Sequence, residues 1–409
     1  MYDVVVIGSG AAGIMSAITA SKAQKRVLLL EKMPKIGLKL KATGGGKCNI
    51  TNMLELNDFI NSFGKQGRFM RDALSKFYHD DLLKFLSDIG LQTHAPDGFR
   101  VFPITHNSKS VLDVLITYMK KLSVDIKCDK NVQKIEINSS QIYNIYTKTN
   151  IYKSQNIIIA TGGLGYSALG SSGDGYKFAK SLGHSISELH AAMIPLHVEE
   201  TWVKNCRADT IAKATLKVNL PKMQKIYKCG DLIFTKSGIR GPVVLDFARE
   251  VTPLLEKYKK VPLLVNFTKG MNEERALNFL KEEAKNSPQN SILEILKKIL
   301  PESLCVEICK LSDIDFNLQY SKINGTKKEK LIKLLAWTPL NVVGHDGFDK
   351  AMITRGGVKL KEINPKTMQS RIAKGVYFCG EVVDLDGPCG GYNLQWSFSS
   401  GYLAGCLLN

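Results

Sequence analysis

Gly8, Gly10 and Gly13 stand in the spacing G-x-G-x-x-G within Gly8-Ser9-Gly10-Ala11-Ala12-Gly13, directly after the apolar run 4–7. An Ala-rich stretch of helical character follows, then a second apolar run, 27–30, closed by Glu31 and Lys32. Each part has a physical task. The first glycine permits a tight turn, the second lets backbone approach a pyrophosphate, and the third lets helix pack closely on strand. The helix N-terminus presents free N–H groups and a positive dipole end to phosphate. An acid 18 residues after Gly13 is placed to accept hydrogen bonds from ribose hydroxyls. Strand, glycine turn, helix, strand and acid together predict a dinucleotide site; a ligand-free glycine turn would not require the acid.

Three further stretches carry residues suited to the same ligand. GLKLKATGGGKCNITN (37–52) has three consecutive glycines followed by Lys47, Cys48 and Asn49, which predicts a backbone-exposing loop. Gly45, Gly46, Lys47, Cys48 and Asn49 are its candidate ligand-lining residues. In 156–184, an apolar strand ends in Ala160-Thr161-Gly162-Gly163, and a helix is expected to start near Gly173-Asp174-Gly175. Small residues at the carboxyl end of a parallel strand let a cofactor lie across it, which selects Thr161 and Gly162. Near the C-terminus a strand delivers Gly380 and Glu381, the latter suited to a polyol. Gly391, Tyr392, Asn393 and Leu394 then open a helix whose N-terminus suits negative charge on a ring carbonyl. Val132 falls where a strand edge can pass near an adenine, although any apolar strand residue would look the same.

These residues need a sizeable scaffold, and 409 residues suffice for two or three domains. Hydrophobic residues at 44% and a mean hydropathy of -0.08 describe a soluble globular chain. No apolar run approaches a membrane span, and Asp3 and the early glycines interrupt any signal-peptide pattern, so no membrane partner and a cytoplasmic location are expected. The nine cysteines contain no CxxC pair and read as reduced thiols, with Cys379 and Cys389 left open as a redox pair; no metal site is expected. A net charge of +18 raises nucleic acid as a partner. Lysines are spread through the chain, and runs such as Lys257/Lys259/Lys260 lack interleaved aromatics, so solvated faces and no nucleic-acid partner are expected.

Along the chain, 57–90 reads as helical with Gly90 as a C-cap, 97–103 as a short strand carrying Arg100, 108–122 as a helix and 124–152 as short strands. Alternation in 190–270 predicts an antiparallel sheet or barrel, and the Lys/Glu/Leu-rich stretch 272–335 predicts helices broken at Pro288 and Pro301. A return strand is expected at 351–360, carrying Arg355.

Taken together, GSGAAG, TGGGKCNITN, DGFRVFP, ATGG with GSSGDGY, LIFTKSGIRGP, TRGGV with TMQS, and GEVVDLDGPCGGYNLQWSFSSG resemble the BaiN-like NAD(P)/FAD-dependent oxidoreductases over nearly the whole chain. That bacterial flavoprotein family includes an aminoacetone oxidase branch. The resemblance implies an α/β fold: a split Rossmann-like FAD-binding domain (1–189 and 359–409), a β-rich substrate domain (190–271 and 336–358) and a helical insertion (272–335). It also implies non-covalent FAD, with NAD(P)H as a transient electron donor. ATGG with GDG is similar to fumarate-reductase-like flavoproteins, which send hydride from flavin N5 to activated C=C bonds. The expected reaction is therefore reduction of an enone-type small molecule, possible substrates being anionic or carbonyl-containing. Oxidation of a small amine or amino ketone by O₂ and an RNA-binding flavoprotein are the alternatives. Arg100, Arg355 and Tyr392 are the candidate catalytic residues: the arginines to hold a substrate carbonyl and stabilise its enolate, the tyrosine as proton donor or ring-positioning group. For each arginine the competing role is a structural salt bridge, and for Tyr392 it is packing. Ser237 and Lys236 are weaker candidates. No oligomeric state is implied.

Overall fold

The computed structural model describes residues 1–408. The chain forms two compact units, Met1–Ala191 with Phe348–Asn409, and Ala192–Gly347.

In the first unit, strand β1 (Tyr2–Ile7) leads through Gly8 into helix α1 (Ala11–Lys22) and strand β2 (Val27–Leu30). Both strands are buried on both faces, which explains their continuous Val/Leu/Ile runs. Parallel pairing aligns Ile7 with Leu30 on one side and with Ile159 on the other. Leu30 in turn lies beside Lys127, and Ile159 beside Phe378. Five parallel strands therefore end at one level. The strand Ile151–Ile159 pairs early with Tyr143–Thr147 and late with Val376–Phe378. It thereby joins an antiparallel hairpin containing Val132 to the parallel core.

The C-terminal helix Tyr392–Gly405 packs on α1 through its glycines. A Cβ on Gly401 would lie 2.3 Å from the Ala12 carbonyl oxygen, and one on Gly405 would lie 2.6 Å from that of Ser16. The stretch 57–90 is not one helical run: helices Leu56–Asn61, Arg71–Lys76 and His79–Asp88 are separated by a 3₁₀ segment and an extended Phe77. Gly67 packs against the Ile60 carbonyl, and the last helix begins where the Asp81 carboxylate accepts the Tyr78 N–H at 3.0 Å. Helical periodicity carries no record of such restarts.

The second unit contains a closed six-stranded barrel in the order Leu196–Val198, Gly238–Arg240, Tyr227–Phe234, Thr210–Val218, Val261–Asn266 and Thr338–His345. All its pairings are antiparallel. A helix, Pro242–Tyr258, stands within a stretch expected to hold strands alone; Pro242 at its first turn is the start signal. Helices Glu273–Asn286, Ile292–Leu296, Glu302–Leu311 and Gly325–Ala336 follow, broken around Pro288 and Pro301. They share a compact unit with the barrel and do not form a separate domain. Asn266 Nδ2 donates to the Ala336 and Met271 carbonyls, and Thr268 Oγ1 donates to that of Leu335, tying helix ends to a barrel strand.

The expected boundary at 358/359 is displaced to 347/348. Residues 348–358 belong to the first unit because their polar groups are satisfied there. The Thr354 N–H donates to Glu381 Oε1 at 3.0 Å, the Leu164 N–H donates to Thr354 Oγ1 at 2.7 Å, and the Val358 N–H donates to the Val382 carbonyl. Only Ile353–Arg355 of the expected return strand is extended in a sheet.

Candidate dinucleotide site

The aligned strand ends place Gly8, Glu31, Thr161 and Gly380 within one residue or two of four neighbouring termini. The three fingerprint glycines separate by task. Gly8 has φ +100°, and a Cβ there would lie 2.5 Å from the Ala160 carbonyl oxygen. A Cβ on Gly13 would lie 1.9 Å from the Gly8 carbonyl oxygen, so helix and turn touch only because none exists. Around Gly10 no atom lies within 4 Å of that position. Its absent side chain serves nothing inside the protein and leaves room for a ligand. No side chain caps α1, so the N–H groups at its start, through Ala11 and Ala12, keep their donor capacity for an anion.

The loop after β2 adds a second open surface. Gly44, Gly45, Gly46 and Cys48 all have positive φ, and Gly45 and Gly46 have nothing within 4 Å of a built Cβ. Lys47 is exposed, whereas Cys48 is fully buried, and burial pushes its thiol up to about 11; it is a packing residue, protonated at neutral pH. Asn49 knits this loop to the C-terminal motif. With its amide donating to the Thr51 and Val101 carbonyls, its oxygen accepts the Gly391 N–H at 3.2 Å. Gly391, with φ +87°, sits so tightly on Thr51 that a Cβ would lie 2.4 Å from the carbonyl carbon.

The acids are already engaged. Glu31 Oε2 accepts the Ser9 N–H at 3.0 Å and the Ser9 hydroxyl, while Oε1 accepts the Met33 N–H at 2.8 Å. The carboxylate is thus fixed beside the glycine turn, with lone pairs left for a ribose. Glu381 is held by Thr354 and by Lys39, whose Nζ lies 2.8 Å from Oε2. Lys32 reaches Asp174 Oδ2 at 2.8 Å and Ser172. Burial would raise the Asp174 carboxyl, but the bonds from Lys32 and Ser172 hold it below its ordinary value. Sequence reasoning missed Lys39, Ser172 and Asp174 as partners of the site; no local signal announces pairs so far apart in the chain.

Thr161 Oγ1 is buried with no hydrogen-bond partner, and Gly175 has no Cβ because one would fall 2.0 Å from that oxygen. A buried hydroxyl with no protein partner, near the end of a core strand, has hydrogen-bonding capacity left for a polar ligand. Gly162 has φ +70°. Gly380, φ +75°, lies against Ala12, and its N–H donates to Ser400 Oγ at 2.9 Å. Val132 is buried at the start of its strand, beside Thr147. Asn393 closes the loop 383–391, which contains Asp384 and Asp386, accepting the Gly387 N–H at 2.8 Å and donating to the Gly387 carbonyl at 2.9 Å. Leu394 is half-buried in the first turn of that helix.

The three catalytic candidates are placed differently. Tyr392 is 8% exposed, stacks on Phe59 at 5.1 Å and meets Phe63 edge-on, an arrangement that packs the ring. Arg100 is more than half exposed, and its Nε lies 2.6 Å from Asp97 Oδ2; this hydrogen bond holds the Asp97 carboxyl down at about 2. Arg355 is half-buried and follows Thr354, which is bonded to Glu381. Arg355 is thus one residue from the carboxylate of the strand-end site, and Arg100 is committed to its own turn. All nine cysteines are free, and Cys379 is completely buried, its thiol raised by desolvation, so the structure forms no Cys379–Cys389 bond.

Residues 2–407 match the family described as HI0933-like protein Rossmann domain. The chain is 32% identical over 408 residues to a 3-dehydro-bile acid delta(4,6)-reductase of Clostridium scindens, covering 99% of this chain and 98% of the relative. It is 29% identical to a ribosomal RNA dihydrouridine synthase of Haemophilus influenzae, covering 97% and 96%. Among solved structures, a flavocytochrome c3 fumarate reductase in an open conformation aligns at a TM-score of 0.51 and 17% identity, over 99% of this chain and 78% of that one, which supports the fold. Among the described residues, no helix is long and apolar enough to cross a membrane. With the glycine cradle, the fixed Glu31 and the orphaned Thr161 hydroxyl at aligned strand ends, the chain belongs to the HI0933-like Rossmann family of FAD-dependent oxidoreductases.

Proposed function

We propose that this chain reduces a C=C bond conjugated to a carbonyl, with electrons from NAD(P)H. The observation that carries the reading is the open glycine cradle at aligned strand ends in a chain collinear with a reductase of such a bond. Bound FAD supplies the two-electron chemistry. The chain's residues hold and orient it. The N–H groups after Gly10 and the α1 dipole bind pyrophosphate, Glu31 takes the ribose, and Thr161 Oγ1 and Glu381 offer further polar contacts. Hydride addition to the β carbon places negative charge on the carbonyl oxygen, and Arg355 is the residue assigned to stabilise it while a proton reaches the α carbon. The sequence holds one dinucleotide fingerprint, so nicotinamide and acceptor take turns, which predicts ping-pong kinetics.

A second reading concerns the substrate and departs from the expectation of no nucleic-acid partner. The C5=C6 bond of uracil is itself conjugated to the C4 carbonyl, so the same chemistry yields dihydrouridine. A net charge of +18 and full-length likeness to a ribosomal RNA dihydrouridine synthase favour a uracil base in RNA over a free small molecule. Anaerobic mixing of the reduced protein with a 3-keto-4-ene steroid, with uridine-containing RNA and with neither tests both. Flavin reoxidation by one acceptor identifies it. Flavin reduction by aminoacetone, with no reoxidation by either alkene, would sink the reductase reading.

A further inference from the structure

Lys260, Lys297, Lys298, Lys310 and Lys330 each pair with a carboxylate. The hairpin of Thr210–Val218 and Tyr227–Phe234 concentrates lysines, with Asp231 as its one acid. Residues 210–230 contain five lysines and neither Asp nor Glu, and among the described residues Lys217, Lys222, Lys225 and Lys228 enter no ion pair. Lys217 lies directly opposite Tyr227 in the antiparallel register, so both side chains leave the same face. The Lys217 ammonium sits 3.9 Å over the Trp337 ring. Tyr227 is 63% exposed, more than any other large apolar side chain of the described residues. The face thus reads tyrosine, lysine, tryptophan, with Lys222 and Lys225 at the hairpin tip, while Lys228, opposite Leu216, leaves the other face. An exposed ring offers a face for stacking, and lysines gathered beside it offer positive charge to an anionic ligand.

We propose that this hairpin face is a docking surface for RNA: the lysines hold backbone phosphates, and Tyr227 stacks on an unpaired base. The proposal rests on the RNA reading above and adds to it the element that holds the nucleic acid. A lipid surface fits less well. The hairpin tip is Pro221, Lys222, Met223, Gln224 and Lys225, where Pro221 is the one exposed aliphatic ring and Met223 is half-buried, too little apolar surface to insert.

The test uses full-length holoprotein and a labelled stem-loop RNA with a uridine-rich loop, followed by anisotropy across a salt series. Replacing Lys217, Lys222 and Lys225 together by Gln is expected to lower the log–log salt slope by about 2, at ~0.7 per lost contact. Tyr227→Ala is expected to weaken binding roughly 5- to 150-fold. The triple Lys→Arg variant should bind as the wild type does, which separates charge from folding. FAD content and NADPH-driven flavin reduction should be unchanged in all three. If the wild type converts uridine in RNA but the Gln and Ala variants bind with unchanged affinity and slope, the docking proposal falls and the RNA reading stands. If the wild type neither binds this RNA nor forms dihydrouridine, both fall. Binding to phosphatidylserine vesicles without binding to RNA would overturn the proposal in favour of a lipid surface.

Discussion

Lys39 and Glu381, 342 residues apart, meet at 2.8 Å beside the strand ends that carry the dinucleotide site. The pair ties the short helix Leu38–Ala42 to the C-terminal segment, and the other Glu381 oxygen is held by the Thr354 backbone. Both partners are about four-fifths buried, so the bond is more than a surface ornament. Lys39→Ala is expected to cost about 1 kcal/mol of apoprotein stability, read as a lowered thermal midpoint. Equal midpoints would mean that the pair is solvated away.

Gly10 and Gly13 make a sharper contrast. Gly10 has φ −71° and open space around it, so Gly10→Ala should change apoprotein stability by less than ~0.5 kcal/mol yet weaken FAD binding at least about tenfold. Gly13→Ala drives a methyl into the Gly8 carbonyl and should destabilise the apoprotein by about 3 kcal/mol or more. Denaturant unfolding and flavin titration of both variants check this. Intact FAD affinity in Gly10→Ala would remove the pyrophosphate from this turn.

Backbone demands explain why much of the cofactor site was readable. Gly8, Gly13, Gly162, Gly380 and Gly391 are fixed by positive φ or by contacts a Cβ would break, and such demands leave a mark in the residue type itself. Lys39–Glu381 and Lys32–Asp174 left none, because a lysine that finds its acid through folding looks like any other lysine. The same holds for Tyr392, whose ring is packed by Phe59 and Phe63 from a distant segment. Strand alternation announced the barrel sheet. The choice between open sheet and barrel stayed open because closure depends on register, and the helix Pro242–Tyr258 was masked by flanking β-branched residues.

His184 links the end of the helix Asp174–Ser181 to the segment 360–371. Its Nε2 lies 2.7 Å from Ser370 Oγ, and its Nδ1 lies 3.4 Å from Glu362. Burial lowers its pKa below 6.5, against the pull of Glu362. The unfolded chain therefore takes up this proton first, so the contribution is fully present above pH ~6.5 and is lost as pH falls from there through the folded value. His184→Gln should flatten the acid-side decline of the unfolding midpoint. A parallel pH profile would place the acid sensitivity elsewhere.

The two arginines should separate kinetically. Arg355→Ala should slow flavin reoxidation by the acceptor about 100- to 1,000-fold, the effect of losing a donor aimed at developing negative charge, and leave reduction by NAD(P)H nearly unchanged. Arg100, committed to Asp97 at an exposed turn, should show small and equal effects on both half-reactions. Stopped-flow traces of the half-reactions decide this. Loss confined to reoxidation in Arg100→Ala would make the Asp97 pair a resting arrangement and Arg100 a substrate ligand.

The proposed reaction passes electrons from FAD at the strand-end site to a carbonyl-conjugated alkene. Its most direct test is single-turnover, anaerobic reoxidation of the reduced holoprotein, with product analysis for a new C–H pair across the double bond. The expected result is stoichiometric reoxidation by an enone steroid or by uridine in RNA, with the saturated carbonyl product formed and no reaction from the corresponding isolated alkene. Stable reduced flavin with both acceptors, followed by prompt reoxidation on admitting O₂, would contradict it.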